Sequence, residues 1–193
     1  MTWRDTKSLI RSDLMRLQQA IHVGQVPAGA RFWTLLFMPE AACLAFYRVG
    51  HFALGRGWHR FAALLYRLSI TLTGADIHPQ SVIGPSCLVV HPVGIVLHGR
   101  LGARLSVFAR VIVASDTMCA QLKDAPVIGD DVVLGAMSSV IGPVSVANGV
   151  RISLCSLVDF SVSSPGVLVR SVPGETLVVQ PKAQADAPPV VSD

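Results

Sequence analysis

The side chains best suited to chemistry near neutral pH in this 193-residue sequence are six histidines and four cysteines. An unperturbed imidazole titrates at about 6.5, so a histidine is well placed to draw a proton from a hydroxyl as a general base. The cysteines point away from metal or disulfide chemistry. Cys43, Cys87, Cys119 and Cys155 are scattered, with no Cys-x-x-Cys pair and no metal-ligand spacing. They read as reduced thiols filling small core positions, and no metal site is expected.

The composition sets the frame for those groups. Hydrophobic residues make up 51% of the chain and charged ones 15%, against about 25% charged in ordinary soluble domains. That excludes disorder for most of the chain, and its length allows one domain with a small appendage. Val, Ile, Leu and Ala supply the apolar mass, which leans towards β-structure. The longest apolar stretch, Phe32 to Tyr47, is broken by Pro39 and Glu40 and falls short of the roughly 20 residues of a membrane span. No signal peptide is visible, so a cytoplasmic location is expected. Residues 1–76 hold nine Lys/Arg and four Asp/Glu, whereas 77–177 hold six of each. This basic excess lacks the dense cluster of a nucleic-acid binder, and nucleic acid is not expected as a partner.

The elements that must position any site show in a six-residue period. Stepping by six from Ile77 gives Ile83, Val89, Ile95, Leu101, Val107 and Val113; the series resumes as Ile128, Leu134, Val140, Val146, Ile152 and Val158. A second uncharged position follows four residues after many of these, as at Ser81, Cys87, Val93, Val132, Ser138 and Ser156. Neither a helix nor a hairpin sheet has this period. It fits a coil whose short strands each send one aliphatic side chain inward before turning, a hexapeptide β-helix. Each coil buries its inner row by stacking on the next, which makes a capped solenoid of roughly five triangular coils.

The fold class expected is therefore α+β: helices over 1–74, then a parallel β-helix over 75–177 with one extruded loop at 114–127, then a disordered tail at 178–193. Leu9, Leu14 and Leu17 have helical spacing, as do residues from Leu44 to Leu72, and Pro27 to Gly29 mark a break, giving three or four helices. The loop is rich in Ser, Asp, Thr, Lys and Pro, and exposed loops of this kind commonly carry function.

Over residues 34–177 the sequence resembles the serine acetyltransferase family of left-handed β-helix acyltransferases. The likeness rests on Tyr47-Arg-Val-Gly-His51, Asp76-Ile-His-Pro79, Ile83-Gly84, His91, Gly94-Ile-Val96, Ile128-Gly129, Leu134-Gly-Ala136, Val140-Ile-Gly142 and Val172-Pro173. It implies a left-handed winding and a homotrimer or dimer of trimers. It also implies acetyl-CoA as co-substrate, with no permanently bound cofactor. By motif match His91 is the general base and Asp76 the aspartate that orients it. Gly135, Ala136, Ser115 and Leu154 fall at positions that bind the CoA donor.

Several matched positions depart from the family. Val90 stands where the family has Asp, Asp124-Ala125-Pro126 where it has Arg-His-Pro, and Met38-Pro39 where it has Asp-Pro. Those positions hold the ammonium and carboxylate of serine, so the acceptor expected here is a hydroxyl compound other than L-serine. On the donor side Ala114-Ser115 replaces a glycine pair, Leu154 a small residue, and Glu175 a basic one.

The other candidates have plainer readings beside the chemical ones. His78 reads as a cap of the first coil, and His98 as a solvated turn residue as readily as a ligand. Arg48 and His51 read as helix-packing or interface residues, and His91 itself could be no more than a polar turn residue. The apolar stretch Phe32 to Leu54 suits core or trimer interface; flanked by Arg48, Arg56 and Arg60 it also fits a membrane surface, the less favoured reading. Two function classes follow. One is an O-acyltransferase moving an acetyl or other acyl group from CoA, or from a carrier thioester, to a hydroxyl. The other is a catalytically inactive relative serving as a scaffold or partner subunit.

Overall fold

The computed structural model describes residues 1–22, 32–117, 121–172 and 175–179. Three α-helices come first: α1 (Trp3–His22), α2 (Pro39–Gly55) and α3 (His59–Thr73), with a 3-10 turn at Phe32–Phe37 before α2. Thr2 opens α1 with a reciprocal cap, its N–H donating to Asp5 and its hydroxyl accepting from the Asp5 N–H, which satisfies two donors that a helix start leaves open. Pro39 sits in the first turn of α2, where its missing N–H costs nothing. Gly74, at φ 73°, ends α3 in the left-handed conformation and turns the chain into the first coil. The expected break at Pro27 to Gly29 lies outside the described residues. No helix among those described is long and apolar enough to cross a membrane.

From Asp76 onward short parallel strands stack into three faces. The first face holds Asp76–Ile77, Val96–Leu97, Ile112–Ala114, Ser139–Ile141 and Leu157–Val158. The second holds Val82–Ile83, Arg100–Leu101, Val127–Ile128 and Ser145–Val146, and Val162 bridges to Val146 above it. The third holds Leu88–Val89, Ser106–Val107, Val133–Leu134, Arg151–Ile152 and Leu168–Val172. Most of these strands are two residues long, too short to stand alone. Stacking pairs their backbone groups with those of the coil above or below. Inside, three aliphatic ladders run the length of the prism: Ile77-Leu97-Val113-Val140-Val158, Ile83-Leu101-Ile128-Val146 and Val89-Val107-Leu134-Ile152-Val169, all buried. Each such side chain stabilises the fold by about 1.5–3 kcal/mol.

One coil departs from the period. Leu97, not Ile95, pairs with Ile77 and Val113. The turn at His91–Gly94 is longer than its counterparts and the corner at His98–Gly99 shorter. Ile95 is still buried, in the corner before the strand, while Val93 is pushed outward and is 64% exposed.

Side chains from α1 and α2 close the open end of the first coil. The Tyr47 hydroxyl donates to the Ser81 carbonyl at 2.7 Å and accepts from the Ile83 N–H at 3.1 Å. Arg48 donates to the carbonyls of Ile83 and Gly84, and His51 Nδ1 lies 2.8 Å from the Pro79 carbonyl. Asp13 accepts from the Cys87 N–H, Ser12 from the Ser86 N–H, and Arg16 donates to the Ser86 carbonyl. The expected packing role of Arg48 and His51 is thus a clamp between helix and coil. Arg48 and Asp13 also form a buried ion pair at 3.0 Å. Burial pushes the Asp13 carboxyl above its usual range, against the pull of Arg48 and the Cys87 N–H.

Two expectations need correction. Cys43 and Cys87 are buried, and burial pushes the Cys87 thiol up to about 12. Cys155, however, is exposed, because it occupies a left-handed corner at φ 56°; Cys119 lies outside the described residues. Val178 and Val179, placed in the tail by the sequence, belong to a closing strand, Glu175–Val179, antiparallel to Leu168–Val172. The rest of the expected tail is not among the described residues. Within the expected loop, Ala114 ends a strand and Val127 begins one, and Leu122–Asp124 form a 3-10 turn.

Candidate active site

The corner between the third and first faces repeats on every coil, and its residues form a column along one edge. His91, Arg110, Met137 and Cys155 occupy it with φ of 58°, 57°, 61° and 56°. A non-glycine residue in this region is costly by roughly 1–2 kcal/mol, and the stacked coils hold all four there. The His91 ring is exposed. Its turn is held from both sides: the Gly94 N–H donates to the Gly74 carbonyl below at 2.9 Å, and the Arg110 N–H donates to the Val93 carbonyl from above at 3.3 Å.

Asp76 opens the first strand of the first face. Because Ile77 points into the core, Asp76 faces outward and is half-buried. Its N–H donates to the Ile95 carbonyl, just past the His91 turn. Its Oδ1 accepts the Tyr66 hydroxyl at 2.6 Å. Burial, and then the carboxylate it faces, push the Tyr66 hydroxyl well above its usual range. No hydrogen bond joins Asp76 to His91 among the described residues; the fold brings them to neighbouring coils at one edge.

His78 follows on the same strand. Its ring lies edge-on to Tyr66 at 5.7 Å and to His98 at 5.0 Å. Burial, with His98 beside it, holds the His78 imidazole below its ordinary range, against the pull of Asp76. His98 Nε2 is buried without a hydrogen-bond partner among the described residues. His78 does cap its turn, Nδ1 accepting the Gln80 N–H at 3.3 Å, whereas His98 is not the solvated turn residue that the sequence suggests. Tyr66 was invisible to sequence reasoning, since nothing in a helical aliphatic run marks one tyrosine as a carboxylate partner.

The donor-side residues divide into two places. Gly135, Ala136 and Leu154 lie at the next corners of the His91 edge. A Cβ on Gly135 would come within 2.7 Å of both the Ile152 carbonyl and the Leu154 nitrogen, so only glycine allows these coils to close up. Leu154 is 69% exposed. Ser115 sits beyond the far end of the first face, where its hydroxyl closes a turn on Thr117. Of the departures on the acceptor side, Met38 packs into the apolar cluster of Leu14, Leu17, Leu35 and Ala41, Val90 is half-buried, and Ala125 is 2% exposed. No three His, Cys, Asp or Glu side chains among the described residues are grouped to hold a metal ion.

Parallel coils of hexapeptides, opened by helices and carrying an exposed histidine at a corner, define a hexapeptide β-helix protein. No protein-family model matches the chain. It is 30% identical over 135 residues to a serine acetyltransferase of Helicobacter pylori strain J99, covering 68% of this chain and 78% of that protein. It is also 30% identical over 133 residues to the Mycobacterium tuberculosis serine acetyltransferase, covering 68% of this chain. The chain spans 57% of the length of that relative and 56% of a plasmid-encoded one from Synechococcus elongatus. The fold superposes on Neisseria gonorrhoeae serine acetyltransferase with a TM-score of 0.80 at 22% identity, over 94% of this chain and 70% of that one. The soybean apoenzyme gives a TM-score of 0.74 at 20% identity, over 89% and 69%. The chain belongs to the serine acetyltransferase family.

Proposed function

We propose that this protein is an O-acyltransferase that moves an acetyl or other acyl group from CoA, or a carrier thioester, to a hydroxyl acceptor other than L-serine. His91 is the base and Asp76 its positioning partner. The reading is carried by the exposed His91 corner, held between Gly74 and Arg110 beside the Asp76 strand, in a chain of this family. A His91 ring nitrogen takes the acceptor's proton as the hydroxyl oxygen bonds to the thioester carbonyl carbon. The carbon–sulfur bond then breaks, and the imidazolium returns its proton to the leaving sulfur, giving an ester and a free thiol.

Donor residues on this reading are Gly135, Ala136 and Leu154 along the His91 edge, with Ser115 reaching in from the loop. The winding is left-handed, the segment between Ala114 and Val127 is extruded, and the working form is a trimer. Exposed Ile112 and Leu157 on the outer first face suit a neighbouring prism, and light scattering tests that. The protein is placed in the cytoplasm.

The test is thiol release from acetyl-CoA across a panel of hydroxyl compounds that includes L-serine, the acceptor in the relatives' name. We expect L-serine to be poor, because Met38, Val90 and Ala125 offer no charge to a zwitterion and Asp124 puts a carboxylate where the family has an arginine; turnover of serine at the relatives' efficiency overturns that part. Within an active preparation, His91→Ala lowers kcat by roughly 100-fold or more, the scale of positioned base catalysis, with the fold unchanged by circular dichroism. The scaffold reading draws on one observation, the absence of a hydrogen bond between Asp76 and His91; it prevails if no acceptor releases thiol.

A further inference from the structure

Two arginines occupy equivalent left-handed corners on different edges of the prism, Arg104 at φ 56° and Arg110 at φ 57°. Their surroundings differ. Arg104 is neutralised: its Nε and Nη2 each donate to the Asp131 carboxylate at 2.6 Å, and Asp130 lies 3.7 Å away. Arg110 is exposed, and its guanidinium has no ion-pair or hydrogen-bond partner among the described residues. The corner above it holds Met137 and the one below holds His91.

Arg110 is also fixed relative to His91. Its N–H donates to the Val93 carbonyl within the His91 turn. Its Cγ lies 3.2 Å from where a Gly94 Cβ would stand, so the arginine stem rests against that turn. The side chains next to His91 are Val90, Pro92 and Val93, and the carboxylate of the coil below, Asp76, is already engaged by Tyr66. One cation without a partner among the described residues therefore stands one coil above the base, while the carboxylate at this edge, Asp76, already accepts from Tyr66.

We infer that Arg110 is a specificity residue that binds an oxyanion on the acceptor, so that the substrates are hydroxyl compounds bearing a carboxylate or phosphate and no ammonium beside it. This rests on the acyltransferase reading for its use, but the anion site stands on Arg110 alone. Guanidinium suits both groups by paired N–H donation.

The experiment has a binding arm and a turnover arm. The arginine Nε–H resonance of Arg110, assigned by its loss in Arg110→Gln, is followed while the full chain is titrated with D-glycerate, inorganic phosphate and glycerol. We expect a saturable shift with D-glycerate or phosphate and none with glycerol; the anion that saturates names the class, and saturation by neither overturns the inference. In thiol release from acetyl-CoA, D-glycerate should outperform both glycerol and L-serine. Arg110→Gln should lower kcat/KM for the acid about 10- to 100-fold, the scale of a lost charged hydrogen bond, with KM for acetyl-CoA within about twofold. A rise in the acetyl-CoA KM instead would assign Arg110 to the donor and overturn the inference. Turnover that survives His91→Ala removes the base assignment and leaves the titration to decide Arg110.

Discussion

The Tyr66 hydroxyl donates to Asp76 Oδ1 at 2.6 Å, tying the last helix to the first strand at the edge where His91 stands. The bond fixes the rotamer of a carboxylate that would otherwise swing in solvent. Tyr66→Phe should therefore lower kcat by about tenfold while leaving KM for both substrates unchanged, the pattern of a lost positioning contact. The bond has a readout apart from activity. In Asp76→Asn the Tyr66 hydroxyl loses its charged partner, and the ultraviolet titration of tyrosine should move to lower pH. If that titration does not move, the contact is absent in solution.

Arg48 should be worth more to stability than any surface cation. It is 2% exposed, pairs with Asp13, and closes the first coil through two carbonyls. Arg48→Ala leaves Asp13 buried and unpaired and should cost about 3–5 kcal/mol in urea unfolding. The double variant Asp13→Leu with Arg48→Leu should recover part of that loss, because no stranded charge remains. Equal losses in the single and double variants would show that the carbonyl contacts, rather than the pair, hold the clamp.

His78 should make the fold acid-sensitive. Burial and the facing His98 hold its imidazole below the ordinary range, while Asp76 pulls the other way and the neutral Tyr66 ring packs beside it. In the unfolded chain it titrates near 6.5. The unfolded state therefore binds the proton more readily, so the stabilisation is complete above about pH 6.5 and is lost as pH falls through the lower folded value. The thermal midpoint should drop between pH 7.5 and pH 5, and drop less in His78→Gln. An equal drop in both would assign the acid sensitivity elsewhere.

Much of the fold is legible in the residues because a hexad has one structural meaning when every sixth side chain is aliphatic. The three ladders from Ile77, Ile83 and Val89 follow directly. The exchange of Ile95 for Leu97 does not, since a longer turn at His91–Gly94 and a shorter one at His98–Gly99 cancel within one coil and leave the count in phase. Tyr47, Arg48 and His51 could be read as packing residues, but their backbone targets at Ser81, Ile83 and Pro79 come only from folding. The site is legible less fully. The single corner column that joins His91 to Arg110 appears only when the coils are stacked, and Tyr66 reaches Asp76 across a helix end. No local pattern records either contact.

The two ends of the prism are blocked by different means. Below the first coil, side chains of α1 and α2 occupy carbonyls and N–H groups that another strand would otherwise take, and at the far end Glu175–Val179 runs antiparallel along Leu168–Val172. A parallel solenoid with bare ends is a template on which a second copy can continue the same ladders, and chains that do so polymerise into fibres. An antiparallel strand cannot be followed by another coil in register, and a helix offers no ladder at all. The same backbone groups thus fix the length of the prism and deny it a template for a second copy, and loss of the closing strand should show first as aggregation rather than as lost helix content.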